Sequence, residues 1–217
     1  MAGKRIPGTE RRDLILAAAR RVFSRSGFHG AKTLQIAREA GVSEALVYRH
    51  FPSKLSLYRA VLRQIFREQD ENYAEVGVVE PSTAGLISSL DRYFRSIIMD
   101  PHGPGREGYR LTLASLSGDG YFASLIYRRA QRRSLGAIRA AHDAARVAGD
   151  VTGEPLTIAN TNMFIEHIGT MINAIAVLDP ASRPYANDGE ALVREALWFC
   201  CRGLGLTDEA IRRHLGS

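Results

Sequence analysis

One short stretch of the chain, residues 33–54, combines several hydrogen-bond donors with cations. The stretch contains hydroxyl groups, an imidazole, a guanidinium and an ammonium, carried by Thr33, Ser43, Tyr48, Arg49, His50 and Lys54. Hydroxyl and cationic side chains bind phosphate oxygens, and a guanidinium also fits the edge of guanine. The chemistry that these residues indicate is recognition of a polyanion.

Catalytic patterns are weak by comparison. The sequence has no Gly-x-Ser-x-Gly motif, no glycine-rich phosphate loop and no histidine and cysteine cluster with metal-ligand spacing. The adjacent pair Glu166 and His167 could exchange protons, but it falls on a long, apolar predicted helix. We therefore expect no enzyme activity, no cofactor and no metal site, with an all-helical enzyme as the less favoured alternative.

The charge of the chain is unevenly distributed. Residues 1–67 contain 14 lysines and arginines against four aspartates and glutamates, a net charge of +10, whereas residues 68–217 have 15 against 19, a net charge of −4. A basic module joined to a mildly acidic body is the pattern of a protein that binds a polyanion. A solvated basic face would give the same counts, so charge alone does not decide between the two interpretations.

The elements that must position these residues are predicted to be helices. Apolar residues recur every three or four positions between glycine and proline breakers, and strand-like alternation is nearly absent. The predicted helices cover 9–27, 33–40, 43–51, 54–71, 82–99, 107–117, 121–148, 155–178, 188–204 and 207–215. The predicted fold class is all-α, in which a small N-terminal domain is joined by a connecting helix to a larger helical domain.

The second and third predicted helices have the features of a helix-turn-helix. Gly41 can supply the positive φ that the tight turn needs, and Ser43 is a good N-cap for the following helix. A small residue at the helix crossing, Ala37, and apolar contacts from Ile36 and Val47 would hold the two helices at a fixed angle. Each feature is weak alone, but their combination inside a basic module is specific.

Residues 9–58 resemble the DNA-binding domain of the TetR family of repressors. The resemblance is carried by residues 15–23, by Gly27 with Phe28, and above all by residues 40–54, with the spacing Tyr-x-x-Phe-x-x-Lys. It implies a DNA-binding domain over 1–54 and a ligand-binding and dimerisation domain over 55–217. Leu34 departs from the pattern, because family members often have a polar or basic residue there that reaches a base.

The resemblance implies phosphate contacts from Thr33, Tyr48, His50 and Lys54, with Thr33 also acting as an N-cap, and base contacts from exposed positions of 43–49. The predicted DNA-binding residues are Thr33, Gln35, Ser43, Glu44, Ala45, Leu46, Tyr48, Arg49, His50 and Lys54. Other interpretations, in which these residues do not contact DNA, stay open. Glu44 could serve to stabilise the helix dipole, Tyr48 and His50 could pack within the domain, and Arg49 could be a solvated cation. Lys4 and Arg5 could enter a minor groove or belong to a disordered tail.

The resemblance also implies a symmetric homodimer, paired through the last two long helices. The predicted interface residues are Ile165, Ile168, Gly169, Ile172, Leu192, Ala196, Phe199, Cys200 and Gly203. The alternative is that these residues form an ordinary core within one chain. A dimer is favoured because two recognition helices reach major grooves about 34–36 Å apart.

An effector pocket is expected among the helices of residues 82–178. Polar or adaptable side chains on apolar helices are the candidates, although for any one of them core packing is the favoured interpretation: Tyr93, Met99, Tyr109, Thr112, Tyr127, Asn162, Met163, His167 and Met171.

The sequence thus predicts a ligand-responsive repressor that binds palindromic double-stranded operator DNA as a homodimer and is released by an unidentified small molecule. A sequence-tolerant architectural DNA-binding protein is the alternative. No apolar stretch approaches the roughly 18–20 residues of a membrane span, and the basic start lacks an apolar region typical of a secretory signal. With only the adjacent Cys200 and Cys201, a reducing, cytoplasmic location is expected.

Overall fold

The computed structural model describes residues 8–76, 79–100, 106–153 and 156–215, which form ten α-helices and one 3₁₀ turn. The helices are α1 Gly8–Gly30, α2 Thr33–Ala40, α3 Glu44–His50, α4 Lys54–Val76, α5 Thr83–Ile98, α6 Arg106–Leu116, α7 Tyr121–Val147, α8 Ile158–Ile175, α9 Gly189–Gly203 and α10 Asp208–Leu215. The described residues contain no β-strand, only an isolated bridge between Val151 and Leu206. The all-α prediction is therefore confirmed.

Two helices differ from their predicted extents. We expected Gly27 to end α1 in the left-handed conformation, but this was wrong. Gly27 has φ 62° and ψ −178°, outside the left-handed helical region, and it kinks a helix that continues to Gly30. Helix α4 extends to Val76, five residues beyond its predicted end. The other helices begin and end within three residues of their predicted limits.

The chain divides into two compact units. The first comprises the described residues up to Tyr73 together with Glu107–Ile126, and the second comprises the described residues of Ala74–Arg106 and from Tyr127 onward. Position 54, where we placed the end of a DNA-binding domain, lies within the first unit. Helix α6 and the start of α7 therefore pack with the N-terminal helices, which the sequence pattern did not predict.

The first unit has a continuous apolar core that supports α2 and α3. Its fully buried side chains come from α1 to α4, α6 and α7: Ile15, Val22, Phe23, Ile36, Val47, Leu57, Tyr58, Val61, Leu111 and Phe122. Arg20 of α1 is buried beside this core and forms ion pairs with Glu68 of α4, at 2.7 Å, and with Glu107 of α6. These ion pairs connect α1 to α4 and to α6, and they compensate the buried charge of Arg20.

The second unit is built mainly from α5, most of α7, α8, α9 and α10. Buried apolar side chains of α5, α9 and α10 form its core: Leu86, Ile87, Phe94, Ile97, Val193, Leu197 and Ile211. Asp150 connects the start of α5 to α10. It accepts a hydrogen bond from Thr83 at 2.7 Å and forms an ion pair with Arg213 at 3.2 Å. The Thr83 hydrogen bond, with the Arg213 charge, lowers the pKa of Asp150 below its ordinary value.

None of the described helices is both long enough and apolar enough to cross a lipid bilayer.

The turn between α2 and α3 allows a direct test of whether Gly41 is needed for its positive φ. Gly41 has φ 66° and ψ 33°, and a β-carbon added there would meet no atom within 4 Å. The cost of Gly41→Ala is therefore conformational, and we expect it to lower the free energy of unfolding by about 1–2 kcal/mol. Gly41→Asn should cost less, because asparagine tolerates the left-handed region. Urea unfolding of the three proteins measures this, and equal midpoints for all three would contradict it.

Candidate nucleic-acid interface

The turn from α2 into α3 is closed by backbone and side-chain hydrogen bonds. The Gly41 N–H donates to the Arg38 carbonyl at 3.1 Å, and the Val42 N–H donates to the Ala37 carbonyl at 3.0 Å. Ser43 then caps α3, because its hydroxyl accepts from the Leu46 N–H at 3.2 Å. The predicted roles of Gly41 and Ser43 are confirmed by this geometry.

Burial divides α3 into an inner and an outer side. Val47 is almost completely buried in the first unit's core, which orients the helix. Ser43, Ala45, Tyr48 and Arg49 are exposed, and Glu44, Leu46 and His50 are partly exposed. On α2, Gln35 is exposed and Thr33 is partly exposed. The residues predicted to bind DNA therefore have accessible side chains on one helix-turn-helix. Lys4 and Arg5 lie outside the described residues.

Three of these residues form a hydrogen-bonded cluster that the sequence did not reveal. The Thr33 hydroxyl donates to Glu44 Oε1 at 2.5 Å and lies 3.1 Å from the Tyr48 hydroxyl. Thr33 has one hydroxyl hydrogen, and Glu44 uses it, so the Tyr48 hydroxyl must be the donor to Thr33. In the free protein both hydroxyl hydrogens point into the cluster. For Tyr48 to donate to a phosphate, its hydroxyl hydrogen would have to turn away from Thr33.

This cluster changes two assignments made from the sequence. Thr33 was expected to cap α2, but the N-cap residue is Lys32, which makes no side-chain cap, and the Thr33 side chain is directed to α3 instead. Glu44 lies in the first turn of α3, as the helix-dipole interpretation requires, and its carboxylate is already hydrogen-bonded. Its position supports a role in holding α2 against α3.

Lys54 is more constrained than a free phosphate ligand would be. Its ammonium donates to the Ala31 carbonyl at 2.9 Å and the His29 carbonyl at 3.3 Å, and it lies 4.7 Å from the centroid of the Phe28 ring. The side chain thus connects the start of α4 to the last turn of α1 and to Ala31, which follows it. An ammonium has three donors, so one hydrogen remains for an external anion.

Ion pairs hold the other side of α2 against α1. Glu39 accepts from Arg21 at 2.6 Å and also pairs with Arg25. Hydrogen bonding from Arg21, reinforced by the charge of Arg25, lowers the pKa of Glu39 below its ordinary value. These contacts and the Thr33 cluster lie at opposite ends of α2, and they fix it between its two neighbours.

The predicted effector-pocket residues fall in different parts of the chain. Tyr109 and Thr112 belong to the first unit, whereas the other seven belong to the second. Within the second unit, Tyr93 donates to the Glu166 carboxylate at 3.0 Å, the rings of Tyr127 and His167 are in edge contact at 5.4 Å, and Asn162 donates to Ser134 at 3.2 Å. Met163 is partly exposed and Met99 and Met171 are exposed.

Glu166 is a member of this polar group that the pocket prediction did not include. It lies on α8 with its carboxylate toward Tyr93. Burial raises its pKa, and the hydrogen bond from Tyr93 opposes that shift in part. The sequence signal was available, because Glu166 interrupts the apolar pattern of α8 directly before His167.

Two depressions lie elsewhere in the second unit, and neither is lined by a predicted pocket residue. A cavity of about 240 Å³ has His142, Arg146 and Thr161 among its lining residues, and an open groove of about 390 Å³ has Asp91, Arg95 and Glu190. His142 is buried and its Nε2 lies 3.0 Å from the Leu204 carbonyl, which indicates a structural histidine.

The predicted dimer residues divide by burial. Ile165, Gly169, Ile172, Ala196 and Cys200 are buried within the single chain, Ile168 and Leu192 are partly exposed, and Phe199 and Gly203 are exposed. A β-carbon on Gly169 would come within 2.4 Å of the Tyr93 hydroxyl, so this glycine allows α8 to approach α5. Burial also raises the pKa of the Cys200 thiol to about 12. The five buried residues have core contacts within their own chain.

Comparisons with known proteins support the assignment of a helix-turn-helix in the N-terminal part of the chain. Residues 15–61 match the family model described as bacterial regulatory proteins, tetR family. The HTH-type transcriptional activator FasR of Mycolicibacterium smegmatis is 50% identical over 62 residues, which are 29% of this chain and 28% of FasR. The HTH-type transcriptional repressor AcnR of Corynebacterium glutamicum is 32% identical over 85 residues, 39% of this chain and 45% of AcnR. The chain thus spans less than half the length of these curated relatives.

The likeness of fold extends further along the chain. The crystal structure of AibR in complex with isovaleryl coenzyme A and operator DNA has a TM-score of 0.65 and 17% sequence identity, covering 88% of this chain and 97% of that one. At this identity the likeness concerns the fold alone. The family match over residues 15–61 thus identifies a helix-turn-helix DNA-binding domain of the tetR type in this part of the chain, and over the remaining helices the likeness is one of fold.

Proposed function

We propose that this chain is a transcriptional repressor whose homodimer binds an inverted-repeat operator and is released from it by a small molecule. The observation that carries the proposal is the outer side of α3, where Ser43, Ala45, Tyr48 and Arg49 are exposed while Val47 anchors the helix in the core. A helix held in this way can enter the major groove with a fixed orientation.

Charge and hydrogen-bond chemistry support the choice of DNA as the partner. The net charge of +10 over residues 1–67 favours association with the phosphate backbone in any sequence. We assign register on the backbone to Tyr48, Lys54 and His50, and a base contact to Arg49, whose side chain is exposed. A guanidinium donates two hydrogen bonds to guanine, so we assign to Arg49 the reading of a guanine in each half-site.

Exposed apolar side chains on α8 and α9 support the homodimer. On α8, Phe164 is 59% exposed and Met171 47% exposed, with the partly exposed Ile168 between them at three- and four-residue spacing. On α9, Phe199 is 68% exposed. Large apolar side chains that share a helix face in this way mark an interaction surface. The proposed interface therefore uses Phe164, Ile168, Met171 and Phe199, and the buried residues of the earlier set support it from inside the chain.

The second unit is the proposed location of the effector. AibR, which shares the fold, was crystallised with isovaleryl coenzyme A and operator DNA together. In this chain Tyr93 of α5, Tyr127 of α7, and Glu166 and His167 of α8 offer polar contacts. A coupling free energy of about 1–3 kcal/mol between effector and DNA would lower operator affinity roughly 5- to 150-fold.

The test is selection of bound fragments from the genome that encodes the chain, at about 0.15 M salt, where screening weakens loose charge attraction. We expect an inverted repeat with half-site centres one helical turn apart. Repeating the selection with Arg49→Ala should remove the preference for guanine at one position per half-site while leaving the rest of the motif intact. Gln131→Ala, an exposed change on α7, is the control. Fragments without a shared motif would instead indicate a sequence-tolerant architectural protein.

Tyr48→Phe tests the phosphate contact separately. The variant loses a donor to an anionic oxygen and, in the free protein, a weaker hydrogen bond to Thr33, so we expect a net loss of about fivefold in affinity per half-site. The loss should be equal on operator and random DNA. Because tyrosine is uncharged, the slope of log affinity against log salt should not change. Tyr121→Phe, an exposed tyrosine of the same unit, is the control. A loss confined to the operator would rule out the phosphate assignment.

Phe199→Glu tests the dimer surface. The substitution places a charge on the most exposed apolar side chain of α9, and we expect the protein to become monomeric and to lose operator binding while it remains folded. Met99→Glu is the matched control, because Met99 is similarly exposed but lies at the end of α5. Sedimentation velocity gives the oligomeric state. A dimer of unchanged affinity would show that Phe199 lies outside the interface.

A further inference from the structure

Leu34 is an apolar side chain at the edge of the outer surface of the helix-turn-helix. It follows Thr33 on α2 and is 46% exposed, whereas the apolar residues that hold α2 in the core, Ile36 and Ala37, are almost fully buried. An exposed leucine beside a row of polar side chains has no role in the core. The resemblance to the family also gives it none, because a polar or basic residue is common at this position.

The geometry of α2 places Leu34 on the side of α3. Successive residues of an α-helix are rotated by about 100°. Glu39 faces α1, where it pairs with Arg21, and Thr33 faces α3, where it binds Glu44. Viewed along the axis of α2, the direction of rotation that leads from Glu39 to Thr33 leads on to Leu34. Leu34 therefore lies past Thr33, on the side of α2 that faces away from α1. Its side chain therefore borders the surface formed by Thr33 and the outer side of α3.

The chemistry of the major groove limits what a leucine at this border can recognise. A leucine side chain neither donates nor accepts hydrogen bonds, and the base edges of the major groove present donors, acceptors and one apolar group, the C5-methyl of thymine. Ala45, exposed on the outer side of α3, is apolar as well. We propose that Leu34 reads the methyl group of a thymine in each operator half-site and so determines specificity at that position.

This inference rests on the proposed function but goes beyond it, since it names the base and the atom that are recognised. It also predicts that, at the operator base pair contacted by Leu34, removing a hydrogen-bonding group of the base leaves the affinity unchanged, whereas removing the thymine methyl weakens binding. Uracil differs from thymine only by that methyl, which makes it a probe of a single apolar contact.

The experiment uses the full-length protein and the operator recovered by selection. Each thymine of one half-site and its symmetry mate is replaced by uracil, and affinity is measured for the wild type and for Leu34→Ala. For the wild type we expect one position per half-site at which uracil weakens binding roughly fourfold for each methyl removed. For Leu34→Ala, uracil and thymine at that position should bind equally. Leu14→Ala, an exposed leucine on α1, should keep the wild-type response.

A second variant distinguishes a change in base preference from a general loss of DNA affinity. Leu34→Arg replaces the apolar side chain by one that suits guanine, so selection with this variant should lose the thymine preference at the same position. If the wild type binds its operator but no thymine shows a methyl effect that Leu34→Ala abolishes, the inference is wrong and the regulator proposal stands. If no operator is recovered at all, the proposed function itself fails and the inference fails with it.

Discussion

The fixed angle between α2 and α3 is the constraint on which the interface depends. It arises from a left-handed residue at Gly41, a cap at Ser43 and two apolar anchors, Ile36 and Val47, which are buried in one core. The short α3 has only seven residues, too few to be stable alone, so packing rather than helix propensity maintains it. A small change in this turn would move every outward side chain of α3 at once.

The surface positioned by this turn is assembled for exchange of hydrogen bonds. In the free protein the Tyr48 hydroxyl donates to Thr33, and Thr33 donates to Glu44, so the donors are satisfied without DNA. In the proposed complex an anionic phosphate takes the place of Thr33 as the acceptor, and a hydrogen bond to an anion is stronger than one to a neutral hydroxyl. The cluster therefore keeps the side chains ordered before binding, and less conformational entropy is lost on association.

Much of this arrangement could be predicted from the sequence, since it depends on local rules. The periodicity of apolar residues, the glycine at the turn and the serine cap each have a meaning within a few residues, and they correctly located α2 and α3. Leu34 could be seen as a departure from the family pattern. Its side-chain environment, however, depends on the rotation of α2 between α1 and α3, which is a tertiary property.

The contacts that were missed join residues far apart in the chain. The Thr33–Glu44–Tyr48 cluster, the capture of two carbonyls by Lys54 and the Arg20 ion pairs with Glu68 and Glu107 all depend on helix packing. The same limit affected the predicted dimer residues. Periodicity identifies an apolar face on α8 and α9, but which part packs within the chain and which part stays exposed, as at Phe199, follows only from the positions of neighbouring helices.

We propose that the outer side of the helix-turn-helix is the surface that binds DNA. Amide hydrogen exchange, measured on the free protein and on its complex with a selected fragment, tests this most directly. If this surface binds DNA, we expect protection on binding to be strongest over residues 33–50. Strong protection confined to the second unit, with residues 33–50 unchanged, would contradict it.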